Sequence, residues 1–143
     1  MKKLSLITSV LLAFVLFTNC EEETVITVQE LPTEINSFVE NHFENSTISY
    51  AEKVRFEDEK YKIILSTGYK ISFNKKNEMI KISGNSQVPN SVIPEQILDY
   101  VNSNFSSNYI EEWKKEKKNH EVKLDNDLEL VFDKNEQFLK MDD

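Results

Sequence analysis

The sequence predicts an α+β domain in which two tandem units, each one helix followed by four strands, build a continuous antiparallel sheet with both helices on one face. Two observations carry that prediction. The chain repeats itself: Leu31-Pro32, Ile35, Phe38-Val39, Phe43 and Ile48 return as Ile93-Pro94, Ile97, Tyr100-Val101, Phe105 and Ile110, 62 positions later (94 − 32). From Tyr61 onward the spacing becomes 59 (124 − 65), pairing Ile63, Leu65, Ile71, Phe73, Lys75 and Lys81 with Val122, Leu124, Leu130, Phe132, Lys134 and Lys140. Such self-similarity marks one supersecondary unit used twice. Within each copy, moreover, the apolar period changes from about 3.6 to 2, the sign of a helix that gives way to strands. The 143 residues, 39% hydrophobic and 29% charged, fit one globular domain. Half of it, roughly 50 residues, would sit near the lower limit for independent folding, so the copies are expected to share a core.

The elements follow in order. Met1-Lys2-Lys3 is a basic n-region and Leu4 to Phe17 an apolar stretch short of a bilayer span, which together read as a secretion signal over residues 1–19. The signal runs through Leu16-Phe17-Thr18-Asn19 into Cys20, the single cysteine. That pattern resembles a bacterial lipoprotein signal, in which the cysteine is lipidated and becomes the first mature residue. An ordinary signal or a buried free thiol are the alternatives. A lone cysteine cannot form an internal disulfide, and lipidation removes the liability of an exposed thiol. The implied location is the periplasm or cell surface, as an outer-membrane lipoprotein held to the membrane through Cys20.

Residues 20–30 lack clear periodicity and read as a tether to a domain over 31–143, made of repeat 31–84, linker 85–92 and repeat 93–143. Glu21-Glu22-Glu23 is most simply solvated, and resembles the acidic signals of some surface-displayed lipoproteins. Removing residues 1–19 takes away Lys2 and Lys3, moving the formal charge from −8 to −10. A field of that sign argues against nucleic acid as partner.

Pro32 opens the first helix, on which Ile35, Phe38, Val39, His42 and Phe43 form one stripe; Pro94, Ile97, Leu98, Tyr100, Val101 and Phe105 repeat it. Both helices run out into Asn/Ser-rich segments. Ile48, Tyr50, Val54 and Phe56 occupy even positions and suggest a first strand with one apolar face, turned by Glu57-Asp58-Glu59-Lys60. Tyr61, Ile63 and Leu65 make the second, Thr67-Gly68 a tight turn, and Tyr69, Ile71 and Phe73 the third. Asn74 to Asn77 turns into a short fourth strand, Met79 to Ile82. In the second copy His120, Val122 and Leu124, then Leu128, Leu130 and Phe132, then Phe138 to Met141 correspond. Its first strand, within Tyr109 to Asn119, has only Ile110 and Trp113 as strong anchors and is expected to be irregular.

These residues carry a resemblance. Leu31-Pro-x-x-Ile35 with Phe43, Tyr61-x-Ile-x-Leu65-x-x-Gly68-x-x-Ile71-x-Phe73, and Val88-Pro89 leading into Ile93-Pro94-x-x-Ile97-x-x-Tyr100-Val101 look like the PepSY-like proteins of exported Bacteroidetes type, whose fold is similar to the beta-lactamase-inhibitor protein. The pattern covers about Leu31 to Met141 and consists of structural residues. Met79 and Phe138 stand where members commonly carry Trp. The resemblance implies a periplasmic or surface binding module, with inhibition of a peptidase or other enzyme as a family-level role; fold analogy does not choose the target.

No catalytic residue, metal site or cofactor is expected. A nucleophilic site needs a base, and the only histidines, His42 and His120, are matched in the other copy by Asn104 and Tyr61. Phosphate loops, dinucleotide fingerprints and zinc spacings do not occur. Asp125, Asp127 and Glu129 superficially suggest calcium, but lack the ligand count and glycine of an EF-hand and read first as a hairpin turn. Lys114-Lys115-Glu116-Lys117-Lys118 reads as a solvated edge.

Binding surface is what remains. If Ile63, Leu65, Ile71 and Phe73 face the helices, strand alternation sends Lys62, Ile64, Lys70 and Ser72 to the open face, with Lys123, Glu129 and Val131 from the copy. Met79 and Phe138 are placed there too, because Ile80, Ile82, Leu139 and Met141 fill the opposite phase. The function expected is a non-enzymatic binding module that engages an exported protein or peptide through this face. The alternative is an envelope sensor of a small ligand or calcium, or a structural protein.

Overall fold

The structure, a computed structural model, describes residues 23–56 and 58–142. The signal over 1–19, Cys20, Glu21-Glu22, Glu57 and Asp143 lie outside the described residues. Nine strands form one sheet in which sequence order is spatial order and every neighbour is antiparallel. The elements are β1 (Thr24–Val25), α1 (Thr33–His42), β2 (Ile48–Lys53), β3 (Tyr61–Leu65), β4 (Lys70–Phe73), β5 (Met79–Ser83), α2 (Glu95–Asn104), β6 (Ile110–Lys115), β7 (Asn119–Leu124), β8 (Glu129–Asp133) and β9 (Phe138–Asp142). Single 3-10 turns, Val28–Glu30 and Asn90–Val92, precede the two helices.

Each helix begins on a proline whose φ, −52° at Pro32 and −54° at Pro94, already suits a helical start. Ile35 and Val39 in α1, and Ile97 and Val101 in α2, are buried at spacings of four, which places them on one stripe. Each stripe meets the sheet through an aromatic pair. Phe38 packs edge-on to Phe73 with centroids 5.5 Å apart, and Tyr100 does the same to Phe132 at 5.4 Å.

Beneath the helices a row of paired residues, Ala51, Ile63, Ile71, Ile82, Trp113, Val122 and Leu130, crosses seven strands, each at most 4% exposed. One core therefore runs through both repeats and across the β5·β6 seam between them. Strands and helices segregated to two layers satisfy both apolar faces.

Three expectations need correction. Residues 24–30, read as part of a tether, belong to the fold: β1 pairs Thr24 with Lys53 and Val25 with Glu52, and Thr27 N–H donates to Glu30 Oε2 at 2.7 Å in the turn before Leu31. A two-residue strand is too short to show a period. Secondly, the irregularity expected over Tyr109 to Asn119 is confined to one bulge at Glu111: β6 is a continuous six-residue strand paired on both sides, in which Trp113 supplies the buried contact that its charged neighbours lack. Thirdly, the even phase read for the first strand fails. A bulge at Ser49 lies between the pairs Ile48↔Leu65 and Tyr50↔Ile64, so Ala51 faces the core and Tyr50 the open side.

The second copy repeats this bulge between Ile110 and Glu112, and both copies share another beyond Ser72 and Val131. The three-residue difference between the spacings 62 and 59 falls in the loop after each copy's first strand, longer between β2 and β3 than between β6 and β7.

Candidate functional site

The helices cover one sheet face, and alternation presents the other side chains to the opposite face. Two rows of paired residues cross it. The first is Glu52, Lys62, Ser72, Lys81, Lys114, Glu121, Val131 and Lys140; the second is Tyr50, Ile64, Lys70, Ser83, Glu112, Lys123, Glu129 and Asp142. Lys62, Ile64, Lys70, Ser72, Lys123, Glu129 and Val131 thus lie where the sequence placed them. Ser72 and Val131 are buried among their neighbours, at 7% and 9% exposed, and offer little surface.

Met79 and Phe138 do not join them. Phe73 pairs with Met79 while Ser72 pairs with Lys81, which leaves Ile80 as an extra residue; Leu139 is extra in the same way between Phe138 and Lys140. Each bulge reverses the phase of the residue before it. Phe138 therefore lies under α2, stacked on Tyr100 with centroids 4.5 Å apart, and Met79 packs against the core.

Ile80 lines a groove of about 570 Å³ on the open face, across the seam between repeats. Phe56 and Ile80 give it apolar surface, and Lys62, Lys81, Lys114, Lys115, Lys117, Asp58, Glu59 and Glu116 surround them. The Lys62 ammonium sits 4.7 Å from the centre of the Phe56 ring and 3.6 Å from carboxylates of Glu23 and Glu59. Lys81 pairs with Glu112 at 3.1 Å, and Lys114 donates to Glu116, a bond that holds its ammonium pKa above the ordinary lysine value. Beside the groove, Tyr50 O–H donates to Glu52 Oε2 at 2.8 Å, which raises the phenol's pKa.

Sequence reading missed Phe56, Ile80, Lys81 and the loop residues Asp58 and Glu59. A signal for Ile80 was present: Met79-Ile80 and Phe138-Leu139 are adjacent apolar pairs at matching places in both copies, and such a pair breaks a period of two.

The carboxylates that suggested calcium do not converge. Asp125 Oδ1 accepts from Asn108 Nδ2 at 2.9 Å and from Tyr109 N–H at 3.1 Å, Asp127 pairs with Lys123 at 2.8 Å, and Glu129 stands on the open face. The Lys123 ammonium holds the Asp127 carboxyl below the ordinary aspartate value. Among the described residues no three His, Cys, Asp or Glu side chains group as a metal site requires. His42 Nδ1 is 2.9 Å from Ser91 Oγ, tying α1 to the segment before α2, and His120 is buried beside Trp113.

The repeated unit is also what a family model recognises. The model described as beta-lactamase-inhibitor-like, PepSY-like matches twice, over residues 16–81 and 59–140. The chain belongs to this PepSY-like family. No curated protein matches it.

Solved structures are similar along nearly the whole PepSY-like domain. A candidate periplasmic protein from Bacteroides vulgatus aligns with a TM-score of 0.80 at 28% identity, over 87% of this chain and 99% of its own. A candidate calcium-regulated periplasmic protein from Bacteroides thetaiotaomicron gives 0.78 at 29%, over 85% and 97%. Another candidate periplasmic protein of unknown function from Bacteroides vulgatus gives 0.77 at 29%, over 85% and 100%.

Proposed function

We propose that this PepSY-like protein is a non-enzymatic, exported binding module, anchored through a lipid on Cys20, that engages an exported protein or peptide through its open sheet face. One observation carries the reading: the groove across the β5·β6 seam sets Phe56 and Ile80 among cationic and anionic side chains. Apolar centres rimmed by polar groups are the usual form of a protein-binding patch. The relatives described as periplasmic support export; inhibition of a peptidase or other enzyme is the form of contact we propose by analogy with the beta-lactamase-inhibitor-like wording of the family description.

The test combines Lys62→Glu with Ile64→Asp. Both side chains lie on the open face; because Lys62 pairs with Glu23, Glu52 and Glu59, the variant is expected to lose some Tm yet keep its far-UV circular dichroism, while losing the partner crosslinked in intact cells. Undiminished crosslinking by a folded variant rejects the face.

A second reading, a calcium sensor, draws on the calcium-regulated description of the relative from Bacteroides thetaiotaomicron. It finds no support in Asp125 and Asp127, whose carboxylates are engaged apart from one another, or in Glu129, which stands on the open face. A bound ion at a hundredfold excess over its dissociation constant adds about 2.7 kcal/mol of stability. A Tm unchanged by millimolar calcium removes this reading.

A further inference from the structure

The large apolar side chains that stand exposed among the described residues gather at the two edges of the sheet: Val25, Val28 and Tyr50 on one side, Phe138, Leu139 and Met141 on β9. The edges are not equivalent. β2, the first strand of repeat one, has its outer side covered by β1, whereas among the described residues no strand lies beyond β9.

The seam shows what that position accepts. β9 is the equivalent of β5, 59 residues on (141 − 82), and β5 is covered by β6 through the pairs Lys81↔Lys114, Ile82↔Trp113 and Ser83↔Glu112. Ile82 is fully buried there, while Met141 is 47% exposed. Gly84 N–H donates to Glu111 O at 3.1 Å, toward β6. Residues two apart turn their backbone groups the same way, so Ile82, and by equivalence Met141, direct theirs outward from the repeat. Lysine on an edge strand usually discourages pairing. Here its equivalent Lys81 sits inside the sheet, so Lys140 is compatible with a further strand.

We infer that β9 is a docking edge for an extended peptide segment, added antiparallel in the register that β6 takes on β5. In that register the incoming residue opposite Met141 fills the place of Trp113 and is large and apolar. The residue opposite Asp142 is basic, and the one opposite Lys140 is acidic, because like charges directly across a pair destabilise it; at the seam the like pair Lys81↔Lys114 is offset by Glu112 and Glu116, whereas on β9 Lys140 and Asp142 pair with each other. The partner chemistry is therefore a basic–aromatic–acidic run in a β-strand.

Two labelled peptides test this. One has the sequence of residues 109–116; the other has Glu112→Lys and Lys114→Glu, which keeps the composition and net charge but supplies the complementary order. The exchanged peptide is expected to bind the mature protein saturably and about tenfold tighter than its isomer, and to slow hydrogen exchange at the Met141 amide. Met141→Pro removes the outward N–H and is expected to abolish docking at unchanged Tm. If that variant loses Tm, Met141→Glu, which keeps the N–H and places charge against the aromatic residue, replaces it. The inference is overturned by absence of binding up to millimolar peptide, by equal affinity for the two peptides, or by equal binding to the Met141 variant. A dimer that Met141→Pro dissolves would make the occupant a second copy and overturn the peptide. Docking is expected to survive Lys62→Glu with Ile64→Asp, which separates this edge from the open face.

Discussion

At the scale of single residues the repeat provides its own controls. Asn77 and Glu136 hold equivalent turn positions with φ of 63° and 65°, in the left-handed region. Asn tolerates that region, but a longer side chain costs about 1–2 kcal/mol there. Glu136→Asn is accordingly expected to stabilise the protein by about 1 kcal/mol, read as a higher urea midpoint with unchanged slope. His120 offers a pH test. It is buried, and burial first, then the Lys115 charge, lower its pKa below 6.5, against smaller opposing effects of Glu136 and Asp133. Below about pH 6.5 the unfolded chain binds a proton that the folded chain binds only at lower pH, so stability falls as pH drops through that window and is unaffected by this group above it. His120→Phe is expected to lose less stability than wild type between about pH 8 and pH 5.5, measured by urea midpoints. The Nδ1 of His120 and Nε1 of Trp113 have no hydrogen-bond partner, so a substitution that removes the imidazole leaves no new orphan.

At the scale of elements, the helices and most of the core were legible because each expresses one period. Ile63, Leu65, Ile71 and Phe73 point at the helices as alternation requires, and so do their copies Val122, Leu124, Leu130 and Phe132. What period alone did not convey was the bulges, since one inserted residue reverses the phase of everything before it. Met79 and Phe138 were lost to the site for that reason, and Ile80 was missed. The charged strand β6 hid for a different reason: it has one large anchor instead of an alternating row. Trp113 pairs with Ile82 across the seam and is 4% exposed. Trp113→Ala is expected to cost about 3–5 kcal/mol, the range for a buried aromatic, and Trp113→Phe considerably less. Circular dichroism during urea unfolding reads both, because the variants lack the single tryptophan. A loss under about 1 kcal/mol for the alanine variant would mean that the seam does not depend on this ring.

For the molecule as a whole, the sharing of one core decides how the repeats unfold. Repeat architectures often behave as a chain of units that contact only their neighbours, and such units can open separately. Here the row from Ala51 to Leu130 is continuous through Ile82 and Trp113, and the sheet has no break between β5 and β6. Each repeat, at roughly 50 residues, is also near the lower size limit for independent folding. The two halves are therefore expected to unfold in one cooperative transition. Trp113 fluorescence reports on the second repeat, and exchange at the Ile63 and Ile71 amides reports on the first. Ile63→Ala, a truncation in repeat one three strands from Trp113, is expected to shift the fluorescence midpoint as much as the exchange midpoint, by about 2–5 kcal/mol. If the fluorescence transition stayed in place while repeat one opened, the seam would be a joint between two domains, and a groove spanning it would change shape with every such opening.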